Sequence, residues 1–365
     1  MGLLLLLLAC RSPTADPGFT VEQVSSYVRA GTDEPETWAR AVRSALVLAE
    51  QPVDEDHVCQ VLAIVEQESG YEADPVVPGL AGIVEKELEQ ALKDKLGVLA
   101  GWTGGAVLDV APVGEERTFR DRLRTVRTER DLDELFQAIV AHHEGRAPAV
   151  GTVVRAVAPR LTERLNPIST AGSMQVKVDW AQAHPVSRGM DPKAVRASMY
   201  SVEGGVRYGT LRLFATADYA DPIHRFADFN AGPYASRNAA LQEQLAVLEG
   251  TELTLDGDLL RYNGRGRPQR SQDGETYRAA VAFAATRGVD AGQVHRDLTL
   301  EKGPGLETTA TWAMAKAAYR ETAGELSFAR VPVVQLDSPK LRGSWTTASF
   351  AERVQRRYDQ CLARS

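Results

Sequence analysis

The chain has 365 residues, of which 44% are hydrophobic and 25% are charged, and this composition predicts a packed globular core rather than a disordered chain. Its formal net charge of -7 argues against a general nucleic-acid binder, because such proteins normally carry a basic stripe. The length suits one large domain or two small ones, and the charge does not exclude a sugar polymer as substrate.

The first ten residues have the pattern of a secretion signal. Six leucines follow Met1-Gly2 and end at Ala9-Cys10. The run is too short to span a bilayer but is typical of the apolar part of a signal peptide. Leu7-Leu8-Ala9-Cys10 resembles the lipobox of bacterial lipoproteins, which implies cleavage after residue 9 and lipidation of Cys10, with palmitate among the expected acyl groups. An ordinary signal peptide with a chance cysteine is the alternative.

The residue after the cysteine bears on the location of the protein. In Gram-negative lipoproteins of this kind an Asp there favours the inner membrane, whereas this chain has Arg11. We therefore expect a lipid-anchored protein of the outer membrane that faces the periplasm. More than one acyl chain makes such an anchor stable. Residues 10–30, which contain Pro, Ser, Thr, Asp and Gly, are predicted to be a tether.

Helical periodicity starts at Pro35 and recurs along most of the chain. The first predicted helix runs to Ala49. Asp54 is a plausible N-cap for the second helix, and Gly70 ends it, so that Glu68 falls in its last turn. Val176 and Val178 alternate with polar residues and predict a short strand. Further helices are predicted at 83–99, 117–142, 191–217, 236–249, 275–287, 307–322 and 347–362, with a small hairpin over 254–262.

Two cysteines remain after the signal, Cys59 and Cys361. A secreted protein folds in an oxidising compartment, where an even number of cysteines indicates a disulfide. The bridge would connect the helix of Glu68 to the last helix. Two separately buried thiols are the alternative.

Three short segments carry residues suited to glycan chemistry: Glu68-Ser69-Gly70-Tyr71, Gly172-Ser173-Met174-Gln175 and Phe229-Asn230-Ala231-Gly232. Glycosidic cleavage needs an acid that protonates the leaving oxygen, and a carboxyl group partly buried against apolar surface can stay protonated near neutral pH. Apolar residues precede Glu68 on its helix, so it suits this role. Each segment alone is more often a helix cap or a turn.

Together and in this order, the segments resemble the motifs of the soluble lytic transglycosylases of the lysozyme-like superfamily, over roughly residues 55–245. Within it we identify a resemblance to a family of uncharacterised Gram-negative lipoproteins. The resemblance implies a mainly α, lysozyme-like helical fold with a small β element in residues 31–365. It would carry a helical insertion at about 76–167 and a C-terminal helical extension at about 250–365.

The resemblance also implies a mechanism. Glu68 would be the single acid/base that cleaves the bond between N-acetylmuramic acid and N-acetylglucosamine, which leaves 1,6-anhydro ends. Ser69 would support the glutamate or the sugar, and no cofactor or metal is expected. The implied partners are peptidoglycan glycan strands and, through the lipid, the membrane; no protein partner is indicated. The other residues implied to line the substrate cleft are Ser173, Met174, Gln175, Phe229 and Asn230.

The sequence departs from the motifs at Ser173, where leucine is usual, and at Phe229, where tyrosine is usual. These departures favour a second hypothesis, a non-catalytic peptidoglycan-binding or scaffolding lipoprotein. A third is a hydrolase, in which Asp179 or Asp228 would activate water. His142-His143-Glu144 lacks the spacing of a helical zinc motif.

Overall fold

The computed structural model describes residues 18–82, 84–85, 108–112, 114–144, 166, 168–262, 268, 274–325, 327–336 and 345–364. The predicted lipidation site at Cys10, the predicted signal peptide and most of the predicted helix at 83–99 lie outside these residues. The predicted mainly α fold is confirmed. The helices are α1 (Val21–Tyr27), α2 (Pro35–Leu48), α3 (Glu55–Glu68), α4 (Phe119–Leu123), α5 (Glu129–Glu144), α6 (Val178–Ala183), α7 (Pro192–Met199), α8 (Val202–Leu213), α9 (Pro222–Ala231), α10 (Ala235–Glu249), α11 (Glu275–Ala285), α12 (Ala291–Leu298), α13 (Ala310–Ala323) and α14 (Thr347–Leu362).

Strands contribute little to the architecture. The described residues form two antiparallel strand pairs, β1 (Thr170–Ala171) with β2 (Val176–Lys177), and β3 (Gln335–Leu336) with β4 (Trp345–Thr346). The predicted strand at 176–178 is therefore shorter than expected, because Val178 already starts α6. In the described part of the chain, no helix has the length and apolar character needed to cross a membrane.

The first core is formed by α1–α3, α8, α9 and α14. In α1, Thr20 and Gln23 form a capping box, and Val24 and Tyr27 are buried in this core. The expectation of a tether up to residue 30 is therefore wrong for residues 18–30. The apolar residues Val24, Tyr27 and Val28 recur at helical spacing, and their burial outweighs the polar composition around them.

Helix α3 follows the sequence pattern closely. The Asp54 side chain accepts a hydrogen bond from the His57 backbone N–H at 2.9 Å and so caps its first turn. Its residues from Val58 to Val65 are all buried, and burying each large aliphatic side chain contributes roughly 1.5–3 kcal/mol. The helix ends at Glu68, and Gly70 takes a positive φ of 62° just beyond it. Both predicted ends are confirmed.

The disulfide between Cys59 in α3 and Cys361 in α14 is confirmed, with the two Cα atoms 5.5 Å apart. Beside it, the Arg364 guanidinium pairs with Glu66 at 3.1 Å and donates to the Tyr27 carbonyl at 2.8 Å. The last helix is therefore fixed to the helix that carries Glu68. The predicted extension at 250–365 is thus not one unit, because α14 returns to the first core.

A second core lies in the predicted insertion and includes Phe119 of α4 and Phe136 of α5. The single helix expected over 117–142 is wrong, because the chain forms α4 and α5 with a break between them. Thr128 causes the break: its hydroxyl accepts from the Asp131 N–H, while the Asp131 carboxylate accepts from the Thr128 N–H. This reciprocal cap starts a new helix at Glu129.

A third core packs α10–α13 together. The hairpin predicted at 254–262 is wrong. The fully buried Glu301 carboxylate accepts from the Leu259 N–H and the Tyr262 hydroxyl. The segment also pairs outside itself, because the Val333 N–H donates to the Leu255 carbonyl at 2.9 Å and Tyr262 forms an isolated antiparallel bridge with Pro268. Burial raises the pKa of Glu301 to about 7.

Candidate active site

The Gly172–Gln175 loop between β1 and β2 packs against α8. A Cβ atom at Gly205 would lie 2.7 Å from Ser173 Oγ, and one at Gly209 would overlap the Met174 side chain. The glycines of α8 therefore leave the space that the loop fills. The helix predicted over 191–217 is divided into α7 and α8, and the break lies where Ser201 caps the start of α8.

Three residues of the loop have different environments. Ser173 and Met174 are fully buried (0% exposed), so they hold the loop against α8 rather than present side chains to a substrate. This differs from the expectation that both line the cleft. Gln175 is partly exposed. Its amide nitrogen donates to Glu129 at 3.1 Å, and its carbonyl oxygen accepts from Thr170 at 3.0 Å.

Glu68 is the last residue of α3 and keeps part of its surface exposed. Burial is the main cause that raises its pKa to about 7, and the nearby carboxylate of Glu129 adds to the effect. Near neutral pH the side chain is therefore present in both protonated and ionised forms. A partly accessible group with such a pKa can give a proton to a bound molecule and take one back.

Glu129 was not among the residues expected from the sequence. It is the first residue of α5, is only 5% exposed and accepts the hydrogen bond from Gln175. It belongs to the insertion, outside all three motifs. The only local signal is the pair Thr128 and Asp131, which caps the helix and thereby places Glu129 in its first turn.

Ser69 and Tyr71 of the first motif stabilise the C-terminal end of α3. The Ser69 hydroxyl donates to the Val65 carbonyl at 3.0 Å, as a helix-terminal serine often does. Tyr71 is buried, and its ring meets Trp38 edge-on with the centroids 5.5 Å apart. Arg29 covers the same ring at 5.4 Å. These contacts fix the turn that follows Glu68.

The third motif is the end of a helix rather than a loop, because α9 runs to Ala231. Phe229 packs against the first core. Asn230 is exposed, and its side-chain oxygen accepts from the Thr347 hydroxyl of α14 at 3.3 Å. The contacts of Asn230 thus lie with the C-terminal helix, whereas those of Gln175 lie with Glu129.

The two aspartates considered for a hydrolase are both engaged locally. Asp228 is fully buried, and its carboxylate accepts from the Tyr219 hydroxyl at 2.7 Å, the Ser236 N–H at 2.6 Å and the Thr216 hydroxyl. Asp179 is exposed and accepts from the N–H of the next residue. Neither aspartate affects Glu68; the carboxylate whose charge raises the pKa of Glu68 is that of Glu129.

The remaining motifs add no site. The ring of His142 packs edge-on against Phe119 with centroids 5.4 Å apart. Within the described ranges, no group of three or more His, Cys, Asp or Glu side chains is arranged to hold a metal ion.

Comparison with known proteins identifies a family. The family model described as "Protein of unknown function (DUF1615)" matches residues 31–364. The chain is 34% identical over 373 residues to the "Uncharacterized protein YaiW" of Escherichia coli (strain K12), an alignment that covers 98% of this chain and 95% of that protein. No match to a solved structure was found.

Proposed function

We propose that this chain, which belongs to the DUF1615 family, is a peptidoglycan lytic transglycosylase with Glu68 as its acid/base. One observation carries the proposal. Glu68 stands at the partly exposed end of α3 with a pKa raised to about 7, close to Glu129 and hence to the Gln175 loop. A general acid and base is most effective when its pKa lies near the working pH.

In the proposed reaction, protonated Glu68 gives its proton to the oxygen that bridges N-acetylmuramic acid and N-acetylglucosamine. The bond to the anomeric carbon breaks, and positive charge develops on the muramic acid ring. Ionised Glu68 then takes the proton of the C6 hydroxyl of the same sugar. The C6 oxygen attacks the anomeric carbon and closes a 1,6-anhydro ring, and Glu68 is protonated again. The negative charge of Glu129 would favour the cationic stage.

The position of Glu129 also favours a second candidate, a hydrolase. Two carboxylates, one acting as acid and one as base on water, are the usual arrangement of glycoside hydrolases. Here Glu68 would remain the acid and Glu129 would activate the water. A third candidate is a non-catalytic wall-binding lipoprotein, which the buried position of Ser173 supports, since that residue takes no part in a cleft.

We also propose that the protein is held at the outer membrane by lipid on Cys10 and faces the periplasm. Because Phe19 and Val21 already pack against the first core, a linker to the lipid would be limited to residues 10–17. Eight residues reach at most about 28 Å when fully extended. The site would therefore act on wall close to the membrane.

Product analysis tests the proposal. Purified wall is incubated with protein that lacks residues 1–10, and the released muropeptides are analysed by mass spectrometry. A lytic transglycosylase leaves anhydro ends, which are lighter by the mass of a water molecule than hydrolysed ends. Hydrated ends would favour the hydrolase, and saturable wall binding without release would favour the scaffold.

A further inference from the structure

A chain of hydrogen bonds runs from β1 to Glu129 through the side chain of Gln175. The Thr170 hydroxyl donates to the Gln175 side-chain oxygen at 3.0 Å. The Gln175 side-chain nitrogen donates to Glu129 at 3.1 Å and to the Gly172 carbonyl at 3.3 Å. A primary amide carries two N–H groups, so both of those on Gln175 already have acceptors within the protein.

The neighbours of Gln175 determine which way its amide points. An ionised carboxylate and a backbone carbonyl can only accept hydrogen bonds, so the nitrogen must face Glu129 and Gly172. The oxygen then faces Thr170, whose hydroxyl donates to it. A reversed amide would place its oxygen against two acceptors. The Glu129 carboxylate therefore receives a hydrogen bond that favours its charged form.

The backbone of Gln175 has a conformation that residues other than glycine rarely adopt. Its φ of 51° lies in the left-handed region, where the Cβ atom is crowded by the backbone. Glycine and asparagine tolerate this region better than glutamine does. The Gln175 backbone N–H closes the turn by donating to the Gly172 carbonyl at 3.0 Å. Strain of this kind is typical of functional sites, so it points to a requirement for the glutamine side chain.

Helix α5 is joined to the same hairpin at a second point. Asp133 lies one turn after Glu129 and pairs with the buried Arg196 of α7 at 3.5 Å. Arg196 donates in turn to the carbonyl of Ile168, just before β1, at 2.9 Å. The charge of Glu129 also acts on Tyr200, just after α7. Two carboxylates of α5 thus hold the insertion against the hairpin of the second motif.

We propose that Gln175 is a positioning residue, itself held by Thr170, which keeps the charged Glu129 carboxylate beside Glu68 and does not bind sugar. That this arrangement serves an acid/base rests on the proposed function. Burial and the charge of Glu129 raise the pKa of Glu68, so a change that turns Glu129 away should weaken the second cause. Gln175 would act on proton transfer through Glu129, without touching the substrate.

An NMR titration tests the proposal without requiring activity. The protein is prepared with isotopically labelled glutamate side chains, and Glu68→Gln identifies the signal of Glu68. We expect Gln175→Asn to lower the pKa of Glu68, as Glu129→Gln should, because the asparagine amide is one methylene group too short to reach Glu129. Asparagine suits the left-handed φ, so the variant should retain the turn and unfold in urea like wild type. A purely structural role would not move the titration.

The hydroxyl of Thr170 provides an independent test. Thr170→Val keeps the shape of the side chain and removes the donor to Gln175, so it should also lower the pKa of Glu68. Thr170→Ser keeps the donor and should restore the wild-type titration. The matched control Thr299→Val removes a hydroxyl at the end of α12 in the third core and should leave the titration unchanged.

A double-mutant cycle shows whether the effect passes through Glu129. In a protein that already carries Glu129→Gln, neither Gln175→Asn nor Thr170→Val should lower the pKa of Glu68 any further. Effects that add to that of Glu129→Gln would overturn the proposal. An unmoved Glu68 titration in both Gln175→Asn and Thr170→Val would overturn it as well.

Kinetic measurements distinguish positioning from sugar binding. Gln175→Asn should move the alkaline limb of kcat/KM to lower pH and leave KM unchanged. Each pKa unit lost by Glu68 lowers the protonated fraction about tenfold on that limb. A raised KM with an unmoved pH profile would make Gln175 a sugar ligand and reject the positioning role.

The outcomes separate this proposal from the proposed function. Lowered Glu68 pKa values in the two variants of a protein that releases no muropeptides would retain the positioning of Glu129 and reject the enzyme. Muropeptide release by wild type, combined with unmoved titrations in both variants, would retain the enzyme and reject the positioning role of Gln175.

Discussion

Glu68 at the end of α3 and Glu129 at the start of α5 lie close enough for the charge of Glu129 to raise the pKa of Glu68. The two residues come from different packing units, the first core and the insertion. The second motif contacts this pair through Gln175, whose side-chain amide donates a hydrogen bond to Glu129 at 3.1 Å. The insertion thereby contributes a charge to the candidate site.

Replacing the acid should abolish cleavage. We expect Glu68→Gln to lower the rate of muropeptide release by a factor of about 10² to 10⁴, because it keeps the side-chain size and removes proton transfer. The exposed Glu72 lies just beyond the same turn and provides the matched control Glu72→Gln, which should retain activity. Full activity in Glu68→Gln would rule out its role as the acid.

The same substitution should change how stability depends on pH. The folded-state pKa of Glu68, about 7, lies above its ordinary value of 4.5. Between these values the unfolded chain binds fewer protons, so the contribution of Glu68 to stability falls as the pH rises through this window. Glu68→Gln should therefore be more stable than wild type at pH 8, by on the order of 1–3 kcal/mol, and the gain should shrink towards pH 4. Urea unfolding at several pH values measures it, and a pH-independent difference would contradict the assignment.

Removing the second carboxylate should move the pH profile. With Glu129→Gln the repulsion that disfavours ionised Glu68 is lost, so the pKa of Glu68 should fall. Because Glu68 must be protonated to act as the acid, the alkaline limb of kcat/KM should move to lower pH. If the protein shows no activity, an NMR titration of the Glu68 carboxyl in wild type and Glu129→Gln measures the change in its pKa directly. An unmoved titration would mean that Glu129 does not act on Glu68.

Local signals account for the parts of the structure that the sequence predicts well. The Asp54 cap, the apolar positions of α3 and Gly70 all lie within one segment, so the helix and the place of Glu68 follow from it. The disulfide follows from the even number of cysteines that remain after the predicted secretion signal. Glu129 could not be found in this way, because its place beside Glu68 depends on how the insertion packs against α3. The false hairpin has a similar cause, since the distant Glu301 satisfies Leu259 and Tyr262.

The disulfide should contribute substantially to stability. We expect the double variant Cys59→Ala with Cys361→Ala to lose about 2–5 kcal/mol of unfolding free energy, because the bridge closes a loop with a sequence separation of 302 residues. Urea unfolding of the variant beside the oxidised wild type measures the loss. Labelling of two free thiols in unreduced, denatured protein from the periplasm would contradict the bridge.

The packing of the Gly172–Gln175 loop against α8 can be tested by substitution of a glycine in α8. A Cβ at Gly209 would overlap Met174, which is fully buried, so Gly209→Ala should cost about 1–3 kcal/mol of stability. It should also displace Gln175 from Glu129 and lower activity.

The matched control Gly303→Ala should be nearly neutral, because a methyl group at this position would have no heavy atom within 4 Å and the φ of Gly303 is ordinary. Met174→Ala would remove the overlaps with Sδ and Cγ of Met174 and leave the one with its Cβ, so the double variant should lose less stability than the sum of the two single variants. Strict additivity in this cycle would show that the glycines of α8 do not hold the loop in place.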